Sequence, residues 1–129
     1  MVDIVKIILS IPELFSAEGS CVDEIYLAEK ALALKFAEDY KQYVEEFGII
    51  AYEGHELTGI TECTQLNVVD ITKEEKRKNK SIPDNFYVIE VANIDGVVVW
   101  QKDTGEIYKT VYNSSPILIC KSLGDYIQL

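Results

Sequence analysis

Phe86-Tyr87-Val88-Ile89-Glu90-Val91, then Val97-Val98-Val99-Trp100-Gln101, then Ile107-Tyr108-Lys109-Thr110-Val111-Tyr112, carry the β half of this chain. Branched and aromatic side chains suit a pleated, half-buried surface, and each run is bounded by turn chemistry. Pro83-Asp84-Asn85 precedes the first run, Asn93-Ile94-Asp95-Gly96 separates it from the second, and Asp103-Thr104-Gly105-Glu106 forms the tight turn before the third. The second run is almost wholly apolar, as a central strand is, with Trp100 in the core. The third alternates, as a half-exposed strand does. Together they predict an antiparallel meander of three strands, interrupted by Pro116. Ile117-Leu118-Ile119-Cys120 then feeds a final helix over Ser122 to Leu129, with Leu123, Tyr126 and Ile127 turned inward.

Upstream of the meander the period is helical. A first helix is expected over residues 2–15. Ser20, with Asp23 three places on, resembles a capping box, and Val22, Ile25, Ala28 and Leu32 recur at helical spacing up to about Leu34. Ala37, Tyr40, Val44 and Phe47 form the apolar face of a second such helix, and Gly48 sits where a glycine ends one. On its outer face Glu38 and Glu45, like Asp39 and Glu46, are two helical turns apart, so the four acids are expected to make one ridge. Ile49 to Tyr52 reads as a short strand, Glu53-Gly54-His55-Glu56 as a turn, and Leu57 to Ile60 as a second strand. Cys63 to Ile71 has no clear period. Lys73 to Lys80 is a charge run without an apolar face, read as an exposed loop or frayed turn. Helices first, strands next and a closing helix predict an α+β fold: N-terminal helices packed on an antiparallel β-sheet with a short C-terminal helix.

Length and composition bound the rest. With 129 residues, 48% of them hydrophobic, the chain fits one domain spanning 1–129, with a core that needs no disulfide. Cys21, Cys63 and Cys120 are odd in number and not at metal-ligand spacing; they read as small buried thiols in a reducing compartment. No run approaches a membrane span, and the start of the chain has neither a basic n-region nor a small-x-small cleavage site, so a cytoplasmic protein is expected. The net charge of −10 argues against nucleic-acid binding and against docking to anionic lipid. Residues 1–60 hold twelve acids against four lysines, an acidic half able to steer a basic partner.

Candidate chemistry is sparse. The single histidine, His55, lies in a polar turn, and no Ser or Cys nucleophile is tied to it by a motif. The glycines are dispersed, so no phosphate loop is written, and adjacent acids on a helix diverge by about 100° instead of converging on a substrate. No catalytic residue, metal or cofactor is expected.

The arrangement from Glu24 to Gly48 resembles the SMI1/KNR4 group, also called the SUKH superfamily. Ile25-Tyr26-Leu27-Ala28-Glu29 with Leu32 stands for the first helix of that pattern, and Phe36 to Gly48 for the second. The downstream strand pair, Tyr87-Val88-Ile89-Glu90, the hairpin through Asp103 to Glu106 and the last helix at Ser122 to Ile127 follow the same layout. The chain departs from the pattern at Ala37, where proline is usual, and at Ile49, where glycine or asparagine is common. The resemblance implies no enzyme activity. It implies a bacterial immunity protein that binds and neutralises a cognate polymorphic toxin, a basic nuclease domain being the class that suits the charge. The alternative is a regulatory or scaffolding domain of the same fold. Glu38, Asp39, Glu45, Glu46, Glu53 and Glu56 are the expected partner-binding residues, with exposed tyrosines beside them as anchors. A monomer or weak dimer is expected.

Overall fold

A computed structural model of the chain describes residues 3–92, 95–112 and 114–129. Helix α1 (Ile4–Leu9) is followed by strand β1 (Phe15–Ser16), helices α2 (Val22–Leu32) and α3 (Glu38–Phe47), strands β2 (Ile50–Tyr52) and β3 (His55–Glu56), and helix α4 (Val68–Lys78). Strands β4 (Phe86–Val91), β5 (Val97–Lys102), β6 (Ile107–Val111) and β7 (Ile117–Cys120) and helix α5 (Leu123–Ile127) complete the chain. The fold is α+β, with N-terminal helices packed against antiparallel sheets and a short C-terminal helix. The described residues form two sheets: a small one in the order β1-β2-β3 and a four-stranded meander β4-β5-β6-β7.

Several expected boundaries move, each for a local reason. Helix α1 stops at Leu9, not at residue 15, because Pro12 forbids helical geometry just ahead of it and Ser10 closes the turn onto the Ile7 carbonyl at 2.7 Å. The released segment forms β1. The box on α2 sits one residue later than expected: the Cys21 N–H donates to Glu24 Oε1 at 2.9 Å. The first hairpin turns on Glu53-Gly54 alone, so His55 and Glu56 are strand residues, whereas Leu57 to Ile60 contributes only a single bridge from Gly59 to Asn67. The charge run is helix as far as Lys78, as the continuation of α4, which Asn67 caps by accepting from the N–H groups of Val69 and Asp70. Ile117 to Cys120 is a fourth meander strand. Of the turn expected over residues 93–96, Asn93 and Ile94 lie outside the described residues.

The core is drawn from both halves. Ile8 of α1, Tyr40 and Tyr43 of α3, Ile50, Leu57, Tyr87, Ile89, Val99 and Leu123 are all buried together. Across the meander, Trp100 packs with Ile82, Phe86, Val88 and Val98, and its indole N–H donates to Thr110 Oγ1 at 3.0 Å. The register shifts between Val88 and Glu90, so that Val88 faces Trp100 and Glu90 faces Val99, with Ile89 as the extra residue. Simple alternation would leave Glu90 on the Trp100 side with Phe86 and Val88. The bulge instead turns it to the side where β3 and α5 lie.

Candidate partner-binding surface

Helix α3 carries acids at both ends. Glu38 and Asp39 lie in its first turn, where the helix dipole favours negative charge. Glu38 is exposed and pairs with Lys41 at 3.2 Å. Asp39 leaves the expected outer ridge: its carboxylate accepts from Gln101 Nε2 at 3.0 Å and from the Leu123 N–H at 2.8 Å, tying α3 to β5 and α5. Glu45 and Glu46 are exposed in the last turn, which has no basic residue. There the dipole opposes them. The segment Ala17 to Ser20 lies against this end. A Cβ at Gly48, whose φ is 71°, would stand 2.2 Å from the Glu18 carbonyl oxygen, and the Ser20 N–H donates to the Val44 carbonyl at 3.1 Å. Glu53 and Glu56 are exposed on the β2–β3 hairpin that leaves α3 through Gly48. The six expected residues are thus one inward carboxylate, one paired glutamate, and two exposed pairs on consecutive elements.

The stretches that carry Glu45, Glu46, Glu53 and Glu56 contain no Lys or Arg. No Lys or Arg occurs between residues 7 and 29 or between 42 and 72, the stretches that supply β1, β2, β3 and most of α2 and α3. Among the described residues Glu45, Glu46, Glu53 and Glu56 have no ion-pair partner.

Neither tyrosine of α3 is exposed beside the acids. Tyr40 and Tyr43 point into the core, where the Tyr40 hydroxyl meets Thr58 Oγ1 at 2.9 Å and the Tyr43 hydroxyl donates to the Thr58 carbonyl at 2.7 Å. Tyr26 on α2 and Tyr112 after β6 are exposed, and so is Phe15, 60% accessible, which periodicity placed in a helix. In β1 it faces Ala51 of β2, which in turn faces Glu56 of β3. Cross-strand partners share a face, so Phe15, Ala51 and Glu56 form one row on the side opposite buried Ile50 and Tyr52. A two-residue strand has no period to read, which is why the sequence hid it.

His55 is better connected than a polar turn suggests. Its Nδ1 lies 3.0 and 3.1 Å from the two carboxylate oxygens of Glu90, and its ring stacks on Tyr52 at 5.1 Å. Glu90, buried in the sheet, also accepts from the Glu56 N–H at 3.0 Å and from the Tyr126 hydroxyl. Burial, and next the Glu90 carboxylate, hold the Tyr126 hydroxyl well above the usual tyrosine range. Each member has a partner, and the group joins β3, β4 and α5. Among the described residues no Ser, Thr or Cys bonds to His55. The thiols are less hidden than expected: Cys21 and Cys63 are exposed and Cys120 is half-buried. Among the described residues no three His, Cys, Asp or Glu side chains are grouped to hold a metal, and no helix is long and apolar enough to cross a membrane.

A family model described as SUKH_5, SMI1-KNR4 cell-wall, matches residues 3–115, from the cap of α1 to the approach of β7. Comparison with curated proteins finds no match.

Proposed function

The chain belongs to the SMI1-KNR4 cell-wall family of the SUKH group, and from that premise we propose that it is an antidote: an immunity protein that binds and neutralises a cognate toxin domain, with no chemistry of its own. Glu45 and Glu46 are the observation that carries this reading. They stand exposed at the negative end of α3, next to a cation-free stretch that continues through the β2–β3 hairpin. Carboxylates there oppose the helix dipole and one another. Their placement there suits contact with a cation-rich partner. A nuclease toxin is such a partner, because its substrate cleft must be basic to hold phosphates. Complementary charge would speed encounter and reject wrong partners. Glu38, Glu53 and Glu56 extend the face. Asp39 contributes indirectly, by fixing α3 against β5 and α5.

The test is a titration of this protein against the C-terminal domain of the candidate toxin encoded beside it, at low and high ionic strength. Tight one-to-one binding that weakens with salt supports the antidote reading. No binding to a domain that remains lethal overturns it for that pair, and the regulatory or scaffolding reading then takes its place.

A further inference from the structure

The small sheet presents an unpartnered face with an uneven row across it. Phe15 is large and exposed, Ala51 is small and half-buried, and Glu56 is long, charged and exposed. Neighbouring strands lie about 4.8 Å apart, so Phe15 and Glu56 stand roughly 10 Å from each other with the alanine as a floor between them. Such a row is a notch one strand wide, walled by an aromatic ring on one side and a carboxylate on the other. Glu53 lies at the hairpin turn beside it. Hydrogen bonds pin the row on both sides: on the β1 side the Ala17 N–H donates to the Ile49 carbonyl at 3.1 Å, and on the β3 side two more hold it. The Glu56 N–H is held by Glu90, and the Leu57 N–H donates to the Ile50 carbonyl at 3.0 Å.

We infer that this notch receives an arginine side chain of a basic protein partner. The occupant follows from the three walls. An apolar floor and a ring accept the methylene stem and the flat face of a guanidinium, which stacks on aromatic faces more readily than an ammonium does. The carboxylate of Glu56 takes the charge, in the fork geometry that arginine alone offers. All three strands come from the cation-free stretches 7–29 and 42–72, so no side chain of the sheet itself competes for that carboxylate. The inference rests on the reading of this side as a docking surface and narrows it to a position and a side-chain class.

The probe is an N-acetylated hexa-arginine peptide, with hexa-lysine as comparison, titrated into the isotope-labelled full chain and followed by amide chemical shifts. Hexa-arginine is expected to move the amides of Phe15, Ala51 and Glu56 and to bind several-fold tighter than hexa-lysine. Ala51→Leu fills the floor without altering any charge and is expected to weaken hexa-arginine about tenfold. Phe15→Ala, at an exposed position, is expected to do the same and covers the case in which Ala51→Leu disturbs the sheet. Shifts confined to Glu45 and Glu46, or unchanged affinity in both variants, would overturn the notch and leave the acidic docking surface standing. Arginine found in the notch of a protein that ignores its candidate toxin would instead uphold the notch and sink the antidote reading.

Discussion

The Tyr87 hydroxyl accepts from the Ala37 N–H at 2.9 Å and donates to Gln101 Oε1 at 2.8 Å, deep in the core. Ala37 has φ −64° and ψ 153°, backbone angles that proline also adopts. The departure from the family pattern at this position therefore has a physical reason: proline would fit the backbone but would remove the donor that Tyr87 uses. Tyr87→Phe leaves the Ala37 N–H and Gln101 Oε1 unpaired and is expected to cost about 1–3 kcal/mol in denaturant unfolding. Ala37→Pro should cost a similar amount alone. Combined, the two should destabilise by at least about 1 kcal/mol less than their sum, since one contact is lost twice in the singles; simple additivity in the double-mutant cycle would refute the pairing. The same burial has a pH consequence. Burial holds the hydroxyls of Tyr40, Tyr43 and Tyr87 well above the usual tyrosine range. Once unfolded, they release protons near pH ~10. Above that pH the unfolded chain binds fewer protons than the folded one, so stability falls as pH rises. Urea midpoints measured from about pH 8 to about pH 11 should be flat and then drop.

Helix α4 shows what a charge run conceals. Lys73 to Lys80 has no apolar stripe of its own, yet the helix is anchored upstream by buried Val68 and Thr72. The Val88 N–H donates to Thr72 Oγ1 at 3.0 Å, so α4 covers the outer edge of β4. Its basic last turn suits the negative helix end, and Arg77 bonds Glu74 at 2.6 Å one turn back. Asn67 starts it, with Oδ1 accepting from the Val69 N–H at 2.9 Å and Nδ2 donating to the Thr61 carbonyl at 2.8 Å. Asn67→Ala should cost about 1 kcal/mol, with amide exchange accelerating first in α4. If α4 amides keep their protection, the cap is not what starts the helix. The bulge at Ile89 acts on the same scale. By resetting alternation it brings Glu90 to His55, Tyr126 and the Glu56 N–H, and so ties the hairpin that bears Glu53 and Glu56 to the meander.

Across the molecule, charge is sorted by segment: cations are absent from 7–29 and 42–72 and concentrated in 73–80. Such sorting sacrifices some stability for a directional field. Glu45→Lys with Glu46→Lys should therefore move two properties in opposite directions. Thermal stability should rise, by about 0.5 kcal/mol per site from the dipole alone. Affinity for a basic toxin domain should fall more than tenfold, and its dependence on salt should shrink. A variant that is both more stable and equally tight would remove α3 from the docking face.

Much of this architecture follows from residue pattern alone. Apolar spacing of 3.6 specified α2 and α3 and alternation specified β6, because a face buried against a core must repeat with the backbone, while the density of branched and aromatic side chains marked β4 and β5, which are buried on both faces. Composition specified the acidic character in the same direct way, since charge needs no fold to be counted. Elements shorter than one period could not be read so: the two-residue β1, the hairpin at Glu53-Gly54 and the α1 boundary take their form from what they pack against. The direction of a single side chain was equally hidden. Asp39 and Tyr43 turn inward, Glu90 crosses the sheet at a bulge, and Phe15 surfaces beside Ala51 and Glu56, all through contacts between residues far apart in the chain. Sequence determined which elements form and what charge they carry. Only tertiary packing decided which carboxylates remain free to meet a partner, because an acid's availability depends on whether a distant donor has already claimed it.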